Sequence, residues 1–143
     1  MSFLRDDIQV ALQWLHSWAL ETLSHFQFVA DHEVGVEVVA LCGALATERE
    51  QLAGKLAAAI RDTGDLPAEP DPDREAVLQV QEQLSGIFAE HGSDAMLAYC
   101  RSREEAFLAQ VRQEAGILEE SEFRSLLSAC QSSAELAVDR LQP

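Results

Sequence analysis

Two glutamates stand where a helical seam calls for apolar side chains. Leu97, Cys100, Phe107 and Val111 fall on one stripe of a helix, and the step from Cys100 to Phe107 passes through Glu104. Glu48 occupies the same kind of place between Leu45 and Leu52. Carboxylates on facing seams cannot sit there bare, because an unpaired buried charge is costly; they must be protonated, paired with arginine or bound to a cation. Arg49, Arg101, Arg103 and Arg112 are near enough in sequence to reach such a site. Three readings stand at this level: a structural polar network or exposure at a bundle edge, a metal site, and a site for another ligand.

His25 lies one turn after Glu21 on the same helical face, where it can serve as a ligand beside that carboxylate or simply pair with it. Other chemistry finds little foothold. No glycine-rich phosphate loop follows a strand pattern, no nucleophile elbow appears and there is no Cys-x-x-Cys. His16, His32 and His91 are dispersed, the last two in loop or surface positions. Cys42, Cys100 and Cys130 each sit inside an apolar stripe and read as reduced, buried small hydrophobes of a cytosolic protein, since a secreted disulfide framework favours paired, loop-borne cysteines.

The elements that must position these residues are all helical. Hydrophobic residues make up 48% of the 143, but aromatics only 6%, the balance of packed helices rather than of a sandwich or barrel. One domain over residues 1–143 is expected, a length that buries roughly two thirds of its unfolded surface without disulfides or metals. Formal net charge is −15, with 25 acidic and 10 basic residues and Lys55 the sole lysine. That composition argues against nucleic acid and against anionic membrane surfaces as partners. The opening Met-Ser-Phe-Leu-Arg-Asp-Asp lacks a basic segment followed by an apolar run, so neither a signal peptide nor a membrane span is expected and the cytoplasm is the default.

Helix one is expected from Phe3 to Ala30, capped by Ser2, with Leu4, Ile8, Leu12, Leu15, Ala19, Leu23, Phe26 and Ala30 as its core stripe. Trp14, Trp18, His25 and Val29 form a second stripe, which requires either unusual burial or a second subunit. Asp31 is the expected cap of helix two, Glu33 to Asp62, in a tight antiparallel hairpin with helix one. Gly43, Gly54 and Ala57–Ala59 would admit a neighbouring backbone, and Gly64 suits a left-handed C-cap. After Pro67 and Pro70, helix three is expected from Pro72 to His91 with Val77, Val80, Leu84, Ile87 and Phe88, helix four from Ser93 to Ala115, and helix five from about Glu119, with Phe123, Leu127, Cys130, Ala134, Ala137 and Leu141 inward.

Two hairpins with a crossover, Glu48 in Ala-Thr-Glu-Arg-Glu-Gln-Leu-Ala-Gly-Lys-Leu, and the pair Arg-Glu-Glu-Ala-Phe-Leu-Ala-Gln-Val and Glu-Leu-Ala-Val-Asp-Arg-Leu, resemble the ferritin-like superfamily, closest to a bacterial ferritin-like domain family of unknown function, over about residues 8–141. The resemblance implies a ferritin-like four-helix bundle of two antiparallel hairpins joined by a crossover helix. It also implies a ligand set of Glu21, Glu48 with Gln51, Glu104, and Glu135 with Val138, His25 being a substitute ligand; the two places that would hold histidine are Gln51 and Val138, so the carboxylate site is degenerate. The expected function is that of a non-enzymatic helical bundle, with no certain cofactor. Two alternatives stay open: an iron- or manganese-binding oxidative-stress protein, and a small acidic interaction module or chaperone-like adaptor, with a homodimer through helix one or a protein partner.

Overall fold

The structure, a computed structural model, describes residues 4–33, 35–68 and 75–142, with side chains left aside over residues 75–81. Four helices account for almost all of it: α1 (Asp7–His32), α2 (Val36–Asp62), α3 (Glu75–Leu118) and α4 (Arg124–Arg140). No strand occurs among the described residues. Also among them, no helix is long and apolar enough to cross a membrane.

α1 begins four residues later than the stripe alone suggests. Asp6 forms the cap: its carboxylate accepts from the Gln9 backbone N–H at 2.8 Å while the Gln9 side chain accepts from the Asp6 N–H at 2.9 Å, a reciprocal capping box that outcompetes an earlier start. The cap expected at Ser2 lies outside the described residues. At the other end α1 runs through His32, so Asp31 belongs to the first helix; α2 starts after Gly35 with no side-chain cap. α2 ends as expected, with Gly64 at φ 88° and its N–H donating to Arg61 O while Asp65 N–H reaches back to Ile60 O, which satisfies the last carbonyls. Gly43 and Gly54 do not serve a close approach: a Cβ added at either would meet nothing within 4 Å.

α3 is divided at the expected place: a kink at Gly92 separates the two helices expected on either side of His91-Gly92. Gly92 has φ 80° and ψ −167°, a conformation essentially reserved for glycine, while the helix resumes on both sides. The added Cβ of an alanine would meet nothing within 4 Å there, so the penalty of a side chain is conformational and not steric. Gly92→Ala is therefore expected to lower stability by about 1–3 kcal/mol in a urea titration; a loss of a few tenths would show that the backbone at this break relaxes freely. Beyond the break α3 continues through Gly116 to Leu118, and α4 starts at Arg124, after a turn closed by Ser121. The Pro70 and Pro72 signals and the inward Val77 and Val80 lie outside the described side chains.

α1 packs on α2 and α3, and α4 packs on α3 and α2. The core they enclose is divided. One apolar cluster joins Leu12, Leu15 and Ala19 of α1, Leu52, Leu56 and Ile60 of α2, Phe107, Val111 and Leu118 of α3, and Leu127, Cys130 and Ala134 of α4. The other joins Leu23, Phe26 and Val29, Cys42 and Leu45, Leu84, Met96 and Cys100, and Ala137 with Leu141. On every helix the gap or boundary between the clusters carries a buried polar residue: Thr22, Arg49, Glu104 and Ser133.

Candidate functional site

Among the described residues, this polar layer is where buried charge and all four helices meet. Arg49 is 1% exposed and Glu104 is fully buried. The guanidinium grips the carboxylate in a fork, Nη1 donating to Oε2 at 3.0 Å and Nη2 to Oε1. Nη1 also donates to the Thr22 hydroxyl at 2.6 Å, and Nη2 to the Ser133 hydroxyl at 3.1 Å. Thr22 passes its own proton to the Trp18 carbonyl at 2.9 Å, so it accepts and donates in one chain. The guanidinium lies over the Phe107 ring at 4.7 Å and the Phe26 ring at 5.6 Å, where a weakly hydrated planar cation gains from two aromatic faces. Only its Nε–H is left without a hydrogen-bond partner.

Burial pushes the Glu104 carboxyl above the ordinary glutamate value; the hydrogen bonds and charge of Arg49 draw it back, and the nearby charge of Glu48 adds to the rise. The surroundings keep the thiols protonated for the same reason. Burial raises Cys100 and Cys130 to about 12 and Cys42 to about 11, and all three are buried and unbridged. Such cysteines are poor nucleophiles and poor metal ligands at neutral pH.

Glu104 is thus in the seam, as its spacing indicates, but its counterpart on α2 is Arg49. Glu48 is half-buried, one residue off the seam. A seven-residue step from Leu45 to Leu52 can be filled at either the third or the fourth position, and the helix turns so that Cys42, Leu45, Arg49, Leu52, Leu56 and Ile60 face inward. That 3-4-3-4-4 spacing admits Arg49 as readily as Glu48 without choosing between them, and no spacing signal singles out Thr22 or Ser133.

The remaining residues of the implied ligand set are dispersed. Glu21 is half-buried and its carboxylate accepts from Arg103 Nη2 at 2.9 and 3.2 Å, while the Arg103 guanidinium lies over the Trp18 ring at 4.8 Å. Gln51 and Glu135 are exposed; Glu135 accepts from Gln131 at 3.0 Å and stands 4.0 Å from Arg112. Val138 is half-buried. His25 is 1% exposed, with its ring edge-on to Tyr99 at 5.4 Å between centroids, and neither ring nitrogen has a hydrogen-bond partner. Burial pulls its pKa down to about 4, the charge of Glu21 opposing and that of Arg103 assisting. Among the described residues no group of three or more His, Cys, Asp or Glu is placed to hold a metal ion.

The second stripe of α1 splits between the two readings open to it. His25 and Val29 are buried, Trp18 is half-buried under Arg103, and Trp14 remains 52% exposed. No protein-family profile, curated protein or solved structure matches the chain.

Proposed function

We propose that the chain is a non-enzymatic bundle of ferritin-like topology in which a buried arginine stands at the level where such bundles gather metal-binding carboxylates, and which acts through its acidic surface as an interaction protein. The observation that carries this reading is the Arg49–Glu104 fork. In a ferritin-like metal centre each of four helices sends a ligand to one level of the core, and the cations neutralise the shared carboxylates. Here each of four helices also sends one polar side chain to one level, but the cation is the guanidinium itself, with both of its terminal nitrogens bonded to Glu104, Thr22 and Ser133. A permanent positive charge at that point opposes entry of a metal ion and removes the need for one.

The topology is supported by how the two apolar clusters are shared. Residues 11–19 of α1 pack with 107–118 of α3, and residues 23–29 with 96–100, so these segments run in opposite directions. By the same matching α2 and the later part of α3 run in the same direction, so the chain between them has to travel back along the bundle, as a single long crossover does. With Arg49 on Glu104 in the core and Glu21 bound to Arg103, neither of these carboxylate positions offers a free base among the described residues. What remains for the molecule to offer is its surface, which carries most of a net charge of −15.

Metal analysis tests the reading directly. Protein incubated anaerobically with iron(II) or manganese(II) at neutral pH and then desalted is expected to retain neither. Retention of one or two ions per chain, lost in Glu104→Gln, would overturn it in favour of an iron- or manganese-binding protein.

A further inference from the structure

We propose that the outer face of α1 beside the chain leaving α2 is a docking groove for a basic amphipathic helix of a partner protein; the inference rests on reading the chain as an interaction protein and names the partner class. Val10 is 41% exposed, Trp14 52% and Leu66 74%, an unusual concentration of apolar surface for one edge of a small acidic protein. Val10 and Trp14 share a groove with Arg5, Gln13, Ser17 and Ala68. Its second wall is held in place, because the Gln13 side chain donates to the Leu66 carbonyl at 2.7 Å and accepts from the Ala68 N–H at 3.1 Å. A tryptophan on a rigid helix, flanked by a pinned strap, is the arrangement of an anchor residue at an interface.

Charge selects the occupant. Arg5, the one cation lining this groove among the described residues, is neutralised by Asp65 at 2.6 Å. Asp6 and Asp7, exposed one turn before Val10, add two carboxylates to this edge of α1, while at the end of α2 exposed Asp62 is offset by exposed Arg61. A second copy of the chain would bring one −15 molecule against another, whereas a helix with leucines on one face and lysines or arginines on the other satisfies both the apolar floor and the acidic rim.

The test uses the intact protein and two labelled model peptides, an amphipathic helix of leucine and lysine and its leucine–glutamate counterpart, followed by fluorescence anisotropy. The leucine–lysine peptide is expected to bind saturably at one per chain and more weakly as salt is raised, with Trp18→Phe binding as the native chain does and the remaining Trp14 emission shifting to the blue. Trp14→Ala is expected to weaken binding about tenfold or more, and Val10→Ser to weaken it in the same direction while circular dichroism shows both variants folded. The leucine–glutamate peptide is expected not to bind. The proposal is overturned by absence of binding, by equal binding to Trp14→Ala and Val10→Ser, or by sedimentation showing a Trp14-dependent dimer of the chain. Metal retention reports on the core and peptide binding on this face, so a metal-free protein that ignores the peptide defeats the groove alone, and a metal-loaded one that binds it defeats only the reading of the core.

Discussion

Alanine at position 104 is expected to cost about 3–5 kcal/mol of unfolding free energy, because it leaves the Arg49 guanidinium charged, fully desolvated and without its counter-ion. Arg49→Ala is expected to cost a similar amount for the mirror reason, with the Glu104 carboxyl then taking up a proton to escape. The pair is held in a layer that separates two apolar clusters, so no water is at hand to replace the lost partner. Removing both groups has a different expected outcome. Arg49→Met with Glu104→Leu keeps the volume and eliminates both charges, and its cost should fall below that of either single alanine variant. Urea titrations of the native chain and the three variants supply the comparison. Single variants that lose less than about 1 kcal/mol would mean that solvent reaches the layer. The double variant also tests specificity: with the fork gone, only the hydroxyls of Thr22 and Ser133 are left in the layer and no ion pair ties α2 to α3 there, so broadened proton resonances alongside retained stability would assign the fork the job of setting register.

The second large effect is acid sensitivity through His25. Its ring is buried against Tyr99 with neither nitrogen bonded, and its pKa is drawn from 6.5 to about 4 by burial. A histidine depressed in the folded state takes its proton more readily when unfolded. Its contribution to stability is therefore complete above pH 6.5 and is lost as pH falls from there to about 4, amounting to about 3 kcal/mol across that window. The charged groups acting on the ring are Glu21 on its own helix and Arg103 on α3, already bonded to each other, so neither is available to a new imidazolium without breaking that pair. His25→Leu is expected to flatten the pH dependence between 6.5 and 4 by the same amount, read as the difference between the two proteins in urea titrations across pH. Glu104 works in the opposite sense, since its raised value lets the fold gain a proton on acidification, while the stability contributed by Asp65, held low by Gln13 and Arg5, is present above the ordinary carboxylate range and is lost only as pH falls below it. Both are present in the two proteins and cancel in the difference. Identical pH profiles would show that the ring is reached by water.

The helices, their order and the buried cysteines follow from residue spacing, because a 3.6-residue period needs only the local pattern of apolar and polar residues to reveal which face is inward. Glu104 was evident in the same way, as an acid in an otherwise apolar stripe. What spacing alone left undecided was the choice between neighbours. Glu48 and Arg49 both fit the gap between Leu45 and Leu52, and a helix turns about 100° between them, so only the packing of α2 against α1 and α4 selects the arginine. The same holds for the capping box at Asp6 and for Trp14, whose exposure depends on what α1 meets on each side.

Glu104 in its seam was the chemistry the sequence determined by itself: a buried carboxylate, in need of a counter-charge. Which counter-charge was decided only by tertiary structure, when partners 27, 55 and 84 positions from Arg49 were brought to one level and its guanidinium supplied the charge. Spacing along a helix fixes direction to within a side chain, but ion pairing depends on separations of about 3 Å between helices, and those are set by the packing of all four at once.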